Sequence, residues 1–472
     1  MGLGVQDPDP LKRGVPMIRP GEGIVVLGAP IGYQGFVKEK MMEKVEKVRS
    51  ITEKLPLLRD PHLEFVLLRS CLSLPKVMFL LRALDTTEHQ DVLEAFDSII
   101  RGALSRLLGT PVSDHQWSQA KLPVAMGGLG LRSAVDHAPS AFAVSLLAAQ
   151  SLINDILGRG ESEEPFNLPA FLLETISEKQ GEETVLVTES LVGVTQKMAS
   201  LKVDKHNQTS LLTHFREAGV TREIARMASL GLPHAGNWLS VVPLSALGLH
   251  LRSNEFLPLL KYRLGIPIYR SEGPCPACKL PSDSMGDHAL GCAKTGDRIA
   301  RHNMLRDVLF EAAASAALGP SKEEPHLLPG SQARPGDILI RRWSDGKDAA
   351  IDVTVTSPLA STNVTRAAAE PGSSLTKAFD RKRRETAEAC QQQGLVFFPV
   401  ALETLGGFHS VAIGQVKQVG AALARQTGSD EREVTSQLFQ RLSLQLMRGN
   451  AALLSARSPD GDVLTPEVDG SE

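Results

Sequence analysis

Arg334-Pro-Gly-Asp337-Ile-Leu-Ile-Arg-Arg-Trp343, Ser344-Asp-Gly-Lys347 and Ala349-Ala-Ile-Asp-Val-Thr-Val-Thr356 decide how the C-terminal part of the chain is read. The first run reads as a strand from Asp337 to Trp343. Asp345-Gly346 is a hairpin signal. The return run, Ala349–Thr356, is rich in β-branched residues and reads as a second strand. Asp352 interrupts an otherwise apolar strand, where an unpaired carboxylate is costly and calls for a cation or a proton. Side chains alternate along a strand, so Asp352 and Thr354 share a face. Asp337 and Asp352 are therefore candidate ligands for Mg²⁺, held against a scissile phosphate as metal-dependent phosphodiester hydrolysis requires. Glu324, in Glu323-Glu324-Pro after a helix expected over residues 297–317, is a candidate third acid. The competing reading is that Asp337 caps a turn and Asp352 is merely salt-bridged.

Upstream, Cys275, Cys278, His288 and Cys292 follow the pattern Cys-x2-Cys-x9-His-x3-Cys. Structural zinc is closed by four thiolate or imidazole ligands. Cys275-Pro-Ala-Cys278 puts two sulfurs on one tight loop. His288 and Cys292 stand one helical turn apart and can face one ion. Three of the five cysteines lie in this window. Free thiols beside an unrelated histidine are the bland alternative. A disulfide is disfavoured because no signal peptide is apparent. His302 is an alternative ligand but is assigned to the next helix.

The fold class expected is multidomain α plus α/β. At roughly 150 residues per domain, the 472 residues suggest about three domains, and 42% hydrophobic content suffices for cores. No apolar run reaches the ~18 residues of a membrane span. Residues 1–20 are Pro/Gly-rich. The spacing of Val37, Met41, Val45, Val48, Ile51 and Leu55 predicts an amphipathic helix over 36–55. Helices are expected near 62–83, 88–108, 138–157, 184–203, 208–218, 221–230 and 244–264. Residues 158–183 are an acidic linker and 451–472 a disordered tail. A helix over 373–391 carries Lys377, Arg381, Lys382, Arg383 and Arg384, a run suited to a phosphate backbone or, more blandly, a solvated face. A strand near 395–402 and helices near 411–427 and 430–449 follow. The net charge of −3 is unlike that of a typical nucleic-acid binder. With 4% aromatic residues, an extensive base-stacking surface is not expected.

The order of zinc knuckle, Arg301-His302 helix, Glu324-Pro, Arg334-Pro-Gly-Asp337 and Asp352-Val-Thr-Val resembles the C-terminal end of non-LTR retrotransposon polyproteins that carry a restriction-like endonuclease, itself similar to the PD-(D/E)XK nucleases. The N-terminal half fits the same resemblance. Val25-Val-Leu-Gly-Ala-Pro-Ile-Gly32 looks like the strand after a reverse-transcriptase palm. Leu67–Arg82 looks like the thumb, and Trp117-Ser-Gln-Ala-Lys-Leu-Pro with Gly127-Gly-Leu-Gly-Leu131 is a further landmark. The resemblance implies an N-terminal remnant (1–20), a thumb-like helical region (21–157), the acidic linker (158–183), a helical connector (184–264), a CCHC knuckle (265–296) and a restriction-endonuclease-like α/β domain (297–450). It implies structural Zn²⁺, catalytic Mg²⁺, nicking of DNA for target-primed integration, and a nuclear location. Its partners would be DNA, element RNA and a polymerase-bearing chain, with no membrane. The family lysine is expected two residues after the second acid. Here that residue is Thr354, and the resemblance points to Lys377 or Lys382 on the following helix instead. Arg381, Arg383 and Arg384 would then bind nucleic acid. Glu403, in Phe397-Phe-Pro-Val-Ala-Leu-Glu403, matches another recurring segment. The sequence lacks paired aspartates in a Tyr/Phe-x-Asp-Asp setting, so a fragment without a polymerase site is expected. Thr354 also favours an alternative, a catalytically inactive zinc-containing nucleic-acid-binding module or a retroelement relic.

Overall fold

The computed structural model of the protein describes residues 22–158, 195–328, 334–344 and 346–459. The proposed N-terminal remnant and most of the acidic linker lie outside them. The described chain is mostly helical with small sheets, compatible with a multidomain α plus α/β architecture. It divides into two compact units. One takes the described residues up to Leu55, with Cys71–Arg101 and Arg132–His206. The other takes Pro56–Ser70, Gly102–Leu131 and the described residues from Asn207 onward.

At the N-terminal end of the described residues, β1 (Gly23–Val26) and β2 (Ala29–Gly32) pair antiparallel, so the Val25–Gly32 run is a hairpin rather than one strand. Leu27-Gly28 supplies the turn, with both residues at positive φ. Helix α1 (Gln34–Thr52) buries Val37, Met41, Val45 and Val48 at helical spacing, while Ile51, expected on that stripe, is exposed. The helix expected over 62–83 is broken. Asp60 caps α2 (Pro61–Leu67) through the amides of His62 and Leu63. A wide turn follows at Leu68–Leu72, and Leu74-Pro75 separates it from α3 (Met78–Ala83). Proline and the steric restriction on the residue before it explain the break. Next come α4 (Gln90–Leu108) and α5 (Asp114–Lys121). α6 (Ala134–Leu157) starts earlier than expected because Ser133 accepts the Asp136 N–H as a cap. α7 is Gln196–Glu217 and α8 Thr221–Leu230. Gly248, at φ 67°, stops the chain short of the helix expected from 244, and α9 is Ser253–Leu264.

Within the second unit, β3 (Gly273–Pro274) and β4 (Pro281–Ser282) form a short ribbon before α10 (Asp287–Gly291). Helix α11 (Asp297–Ser315) leads to a four-stranded mixed sheet of β5 (Pro320–Lys322), β6 (Ile338–Ser344), β7 (Lys347–Thr356) and β8 (Val396–Glu403), in that order. β6 and β7 are the expected hairpin arms, with Ile338 opposite Ile351. Asp345 of the turn is outside the described residues. β7 and β8 are parallel, with Asp352 opposite Pro399. Parallel neighbours need a crossover, provided here by α12 (Val364–Ala369) and α13 (Ser373–Gln392). Leu375 and Phe379 of α13 pack with Ala401 of β8, and Cys390 packs with Ala350 and Phe397. Each large apolar side chain so buried contributes roughly 1.5–3 kcal/mol, which anchors the basic helix along the sheet. α14 (Ser410–Thr427) and α15 (Glu431–Ala456) complete the unit. α15 passes the expected boundary at 450, because Ala451, Leu453 and Leu454 are buried. The tail expected from 451 therefore begins as helix, and residues beyond 459 lie outside the described ones.

Candidate metal centres and active site

The knuckle is shaped by its backbone. The Cys275 N–H donates to Leu280 O (2.8 Å), and the Lys279 N–H returns to Cys275 O (2.8 Å). Asp283 caps α10, accepting the N–H groups of Asp287 (2.9 Å) and His288 (2.8 Å). Gly286 sits at φ 86°, where an added Cβ would come within 2.7 Å of Leu454. One ligand atom from each of Cys275, Cys278, His288 and Cys292 falls within 4.8 Å of the others. Cys278 Sγ lies 3.2 Å from His288 Nε2. A tetrahedral site with zinc–sulfur bonds of about 2.3 Å has edges of about 3.8 Å, so this Cys₃His set fits zinc with small adjustments. His302, the alternative ligand, is not in the cluster. Arg457, fully buried at the end of α15, ties the knuckle down. It donates to Lys294 O (2.7 Å) and Thr295 Oγ1 (2.8 Å) and pairs with Asp297 at 2.9 Å.

The acids of the strand pair come from adjoining positions. Asp337 precedes Ile338, Asp352 follows Ile351, and those two isoleucines are register partners. The Asp337 N–H donates to Ile351 O (2.7 Å), and Asp337 Oδ2 accepts the Val353 N–H (2.6 Å). Gly336 permits this close passage, since a Cβ there would lie 3.0 Å from Ile351 O. Asp337 Oδ1 is 3.0 Å from His302 Nε2. That hydrogen bond is the main reason the His302 pKa is raised, against burial. Asp352 is largely buried, and Lys382 reaches it from α13. Lys382 Nζ donates to Oδ1 at 3.2 Å, while its 3.0 Å approach to Oδ2 is an ion-pair contact without hydrogen-bond geometry. Oδ2 is left as a buried oxygen with no hydrogen bond. Burial raises the Asp352 pKa, and the Asp337 charge adds to the rise. Lys382 opposes both.

Of the two candidate lysines, Lys382 meets the acid. Lys377 donates instead to Asn363 Oδ1 at 3.0 Å. Glu324 has no bond to Asp337 or Asp352 or to the groups that hold them. It is half-buried and makes no ion pair or hydrogen bond among the described residues, whereas its neighbour Glu323 pairs with Arg306 and Arg334. Of the arginine run, Arg383 lies over the Phe379 ring and Arg384 bonds Asp380 O within the helix. Arg381 lines a cavity at the C-terminal end of β7. Glu403 is fully buried, accepts from Ser374 Oγ at 2.6 Å, and is pushed by burial to a pKa of about 7. From the sequence, His302 belongs to a helix or is an alternative zinc ligand, and neither reading pairs it with Asp337. The Arg301-His302 pair ahead of the acids was the available signal.

No protein-family model matches the chain. It is similar to the retrotransposable element SLACS 132 kDa protein of Trypanosoma brucei gambiense, with 24% identity over 441 residues. The match covers 91% of this chain and 31% of that protein. The likeness supports a retrotransposon-derived protein.

Proposed function

We propose that the chain is the C-terminal part of a retrotransposon reverse-transcriptase polyprotein, and that it nicks DNA by Mg²⁺-dependent phosphodiester hydrolysis during target-primed integration. The observation that carries this reading is Asp352. It is a buried carboxylate with one oxygen lacking a hydrogen bond, beside a second acid and a lysine. A buried acid pair is costly unless a cation joins it, so Asp337 and Asp352 are a fitting donor set for Mg²⁺. When bound, the ion supplies positive charge to the scissile phosphate and acidifies a water. Lys382 favours the ionised form of Asp352 against its burial and presents an ammonium group where charge develops on the phosphate. His302 holds Asp337 most strongly when protonated, and the hold weakens when the imidazole is neutral. Cys275, Cys278, His288 and Cys292 hold a structural Zn²⁺ that fixes the knuckle next to α11. DNA, element RNA and a polymerase-bearing chain are the proposed partners, in the nucleus. Polymerisation is not assigned to this chain. Nicking of supercoiled DNA by the wild-type protein with Mg²⁺, absent in Asp352→Ala, tests the reading.

A further inference from the structure

A cavity of about 260 Å³ opens at the C-terminal end of β7, beyond Asp352. Arg298, Arg301, Lys377 and Arg381 line it, together with hydroxyl-bearing residues that include Thr356 and Ser357. No carboxylate is among its lining residues. Arg301 is the unusual member. It is 2% exposed, and no described acid pairs with it. Its Nη1 donates to Asn450 Oδ1 at 2.8 Å and, at 3.5 Å, to Leu290 O. Its Nε has no hydrogen-bond partner, nor does the buried Ser357 hydroxyl on the same cavity. A guanidinium taken out of water without an anion is expensive. Burial and the nearby Arg298 charge hold its pKa down at about 9. Arg298 and Arg381 are exposed at the cavity rim. Lys377 and Arg381 are four residues apart on α13, hence on one face. Of the hydroxyls, Ser374 is already committed to Glu403.

We propose that this cavity is a phosphate-binding site that holds a backbone phosphate of the same nucleic-acid strand whose scissile phosphate lies at Asp337 and Asp352. The proposal rests on the nuclease reading of those two acids. Fixed guanidinium and hydroxyl donors match phosphate oxygens, and several cations with no acid select an anion. The spacing suits a continuous strand. Thr354, which lines the cavity, is two strand residues from Asp352, about 7 Å along β7, roughly the axial rise of two nucleotides on one DNA strand. Such a contact would fix the register of the strand over the acids without reading its sequence.

The test uses the full zinc-loaded chain and a fluorescein-labelled DNA duplex, without Mg²⁺. Arg298→Ala/Arg381→Ala, two exposed positions, is compared with the charge-matched control Arg425→Ala/Arg432→Ala. The rim variant should bind about tenfold more weakly at moderate salt. Its slope of log affinity against log salt should fall by about 1, the share of the one phosphate the cavity holds. The control should stay near wild type. In a second arm, inorganic phosphate should raise the unfolding midpoint of the wild type over chloride at equal ionic strength, and should not do so for the rim variant. A rim variant that keeps wild-type affinity and salt slope overturns the proposal. If phosphate then still protects the wild type selectively, the cavity takes a free phosphate compound and not a nucleic-acid strand. Weakened binding by the rim variant together with a wild type that never nicks under Mg²⁺ would leave the cavity standing and remove the nuclease reading.

Discussion

Gly336→Ala should damage the acid pair through the backbone alone. An added Cβ would sit 3.0 Å from Ile351 O and 3.1 Å from Ala350 C and Cβ, against ordinary contacts of 3.4 Å or more. Relief requires a displacement of about 0.4 Å, the difference between the two. Ile351 O is the oxygen that accepts the Asp337 N–H at 2.7 Å, so the displacement falls on the bond that positions Asp337. Overpacking of this kind costs about 1–3 kcal/mol of stability. A 1 Å misplacement of reacting groups can cost about 100-fold in rate, so a shift of ~0.4 Å should cost roughly three- to tenfold. The assay is thermal unfolding together with the single-turnover nicking rate at saturating Mg²⁺ and DNA. DNA affinity should not change, because no cationic side chain is touched. A Gly336→Ala variant with wild-type midpoint and wild-type rate would show that the close passage of Gly336 does not position Asp337.

The knuckle should carry one zinc per chain, and Cys275→Ser should lose it and speed hydrogen exchange across residues 270–300; protein purified without chelator that contains no zinc would contradict this. Lys382→Ala should lower the nicking rate at saturating DNA more than Lys377→Ala does, since Lys382 touches Asp352 and Lys377 touches Asn363; the reverse order would contradict the assignment. Its loss also removes what holds the Asp352 pKa down, so the remaining activity should need higher pH. The raised pKa of His302 means that its pairing with Asp337 stabilises the fold below about pH 6.5, and that this contribution is lost as pH rises through the folded-state value. Nicking should therefore increase over that window as the hold of His302 on Asp337 weakens. His302→Ala should move the acid limb to lower pH, and superimposable profiles would count against the pairing.

The hairpin of β6 and β7 and the Cys/His cluster were legible because both rest on short spacings: alternation of two along a strand and a one-turn separation between His288 and Cys292. The interior of the helical half was legible where apolar spacing was regular, as in α1. It was misread where a backbone effect outweighed the pattern, at Pro75 and Gly248. α15 outran its composition because Leu453, Leu454 and Arg457 are buried by contacts far away in sequence. The choice between Lys377 and Lys382 could not be read from spacing, because it depends on which face of α13 meets β7. Leu375 and Phe379 settle that by packing on Ala401. Glu324, the candidate third acid, has no hydrogen bond or ion pair among the described residues that ties it to the strand pair. The buried Arg301 was hidden because its environment is assembled from α10, α11, β7 and α13.

The most direct measurement is nicking of supercoiled plasmid by the zinc-loaded chain with Mg²⁺, with Asp352→Ala alongside. The wild type should convert supercoiled to open-circular DNA in a reaction that depends on added Mg²⁺ and is reduced more than about 100-fold in the variant, which should still be folded and retain its zinc. A wild type that leaves the plasmid intact with Mg²⁺ or Mn²⁺, or a variant that nicks as fast as wild type, would contradict the claim that Asp337 and Asp352 form a nuclease site.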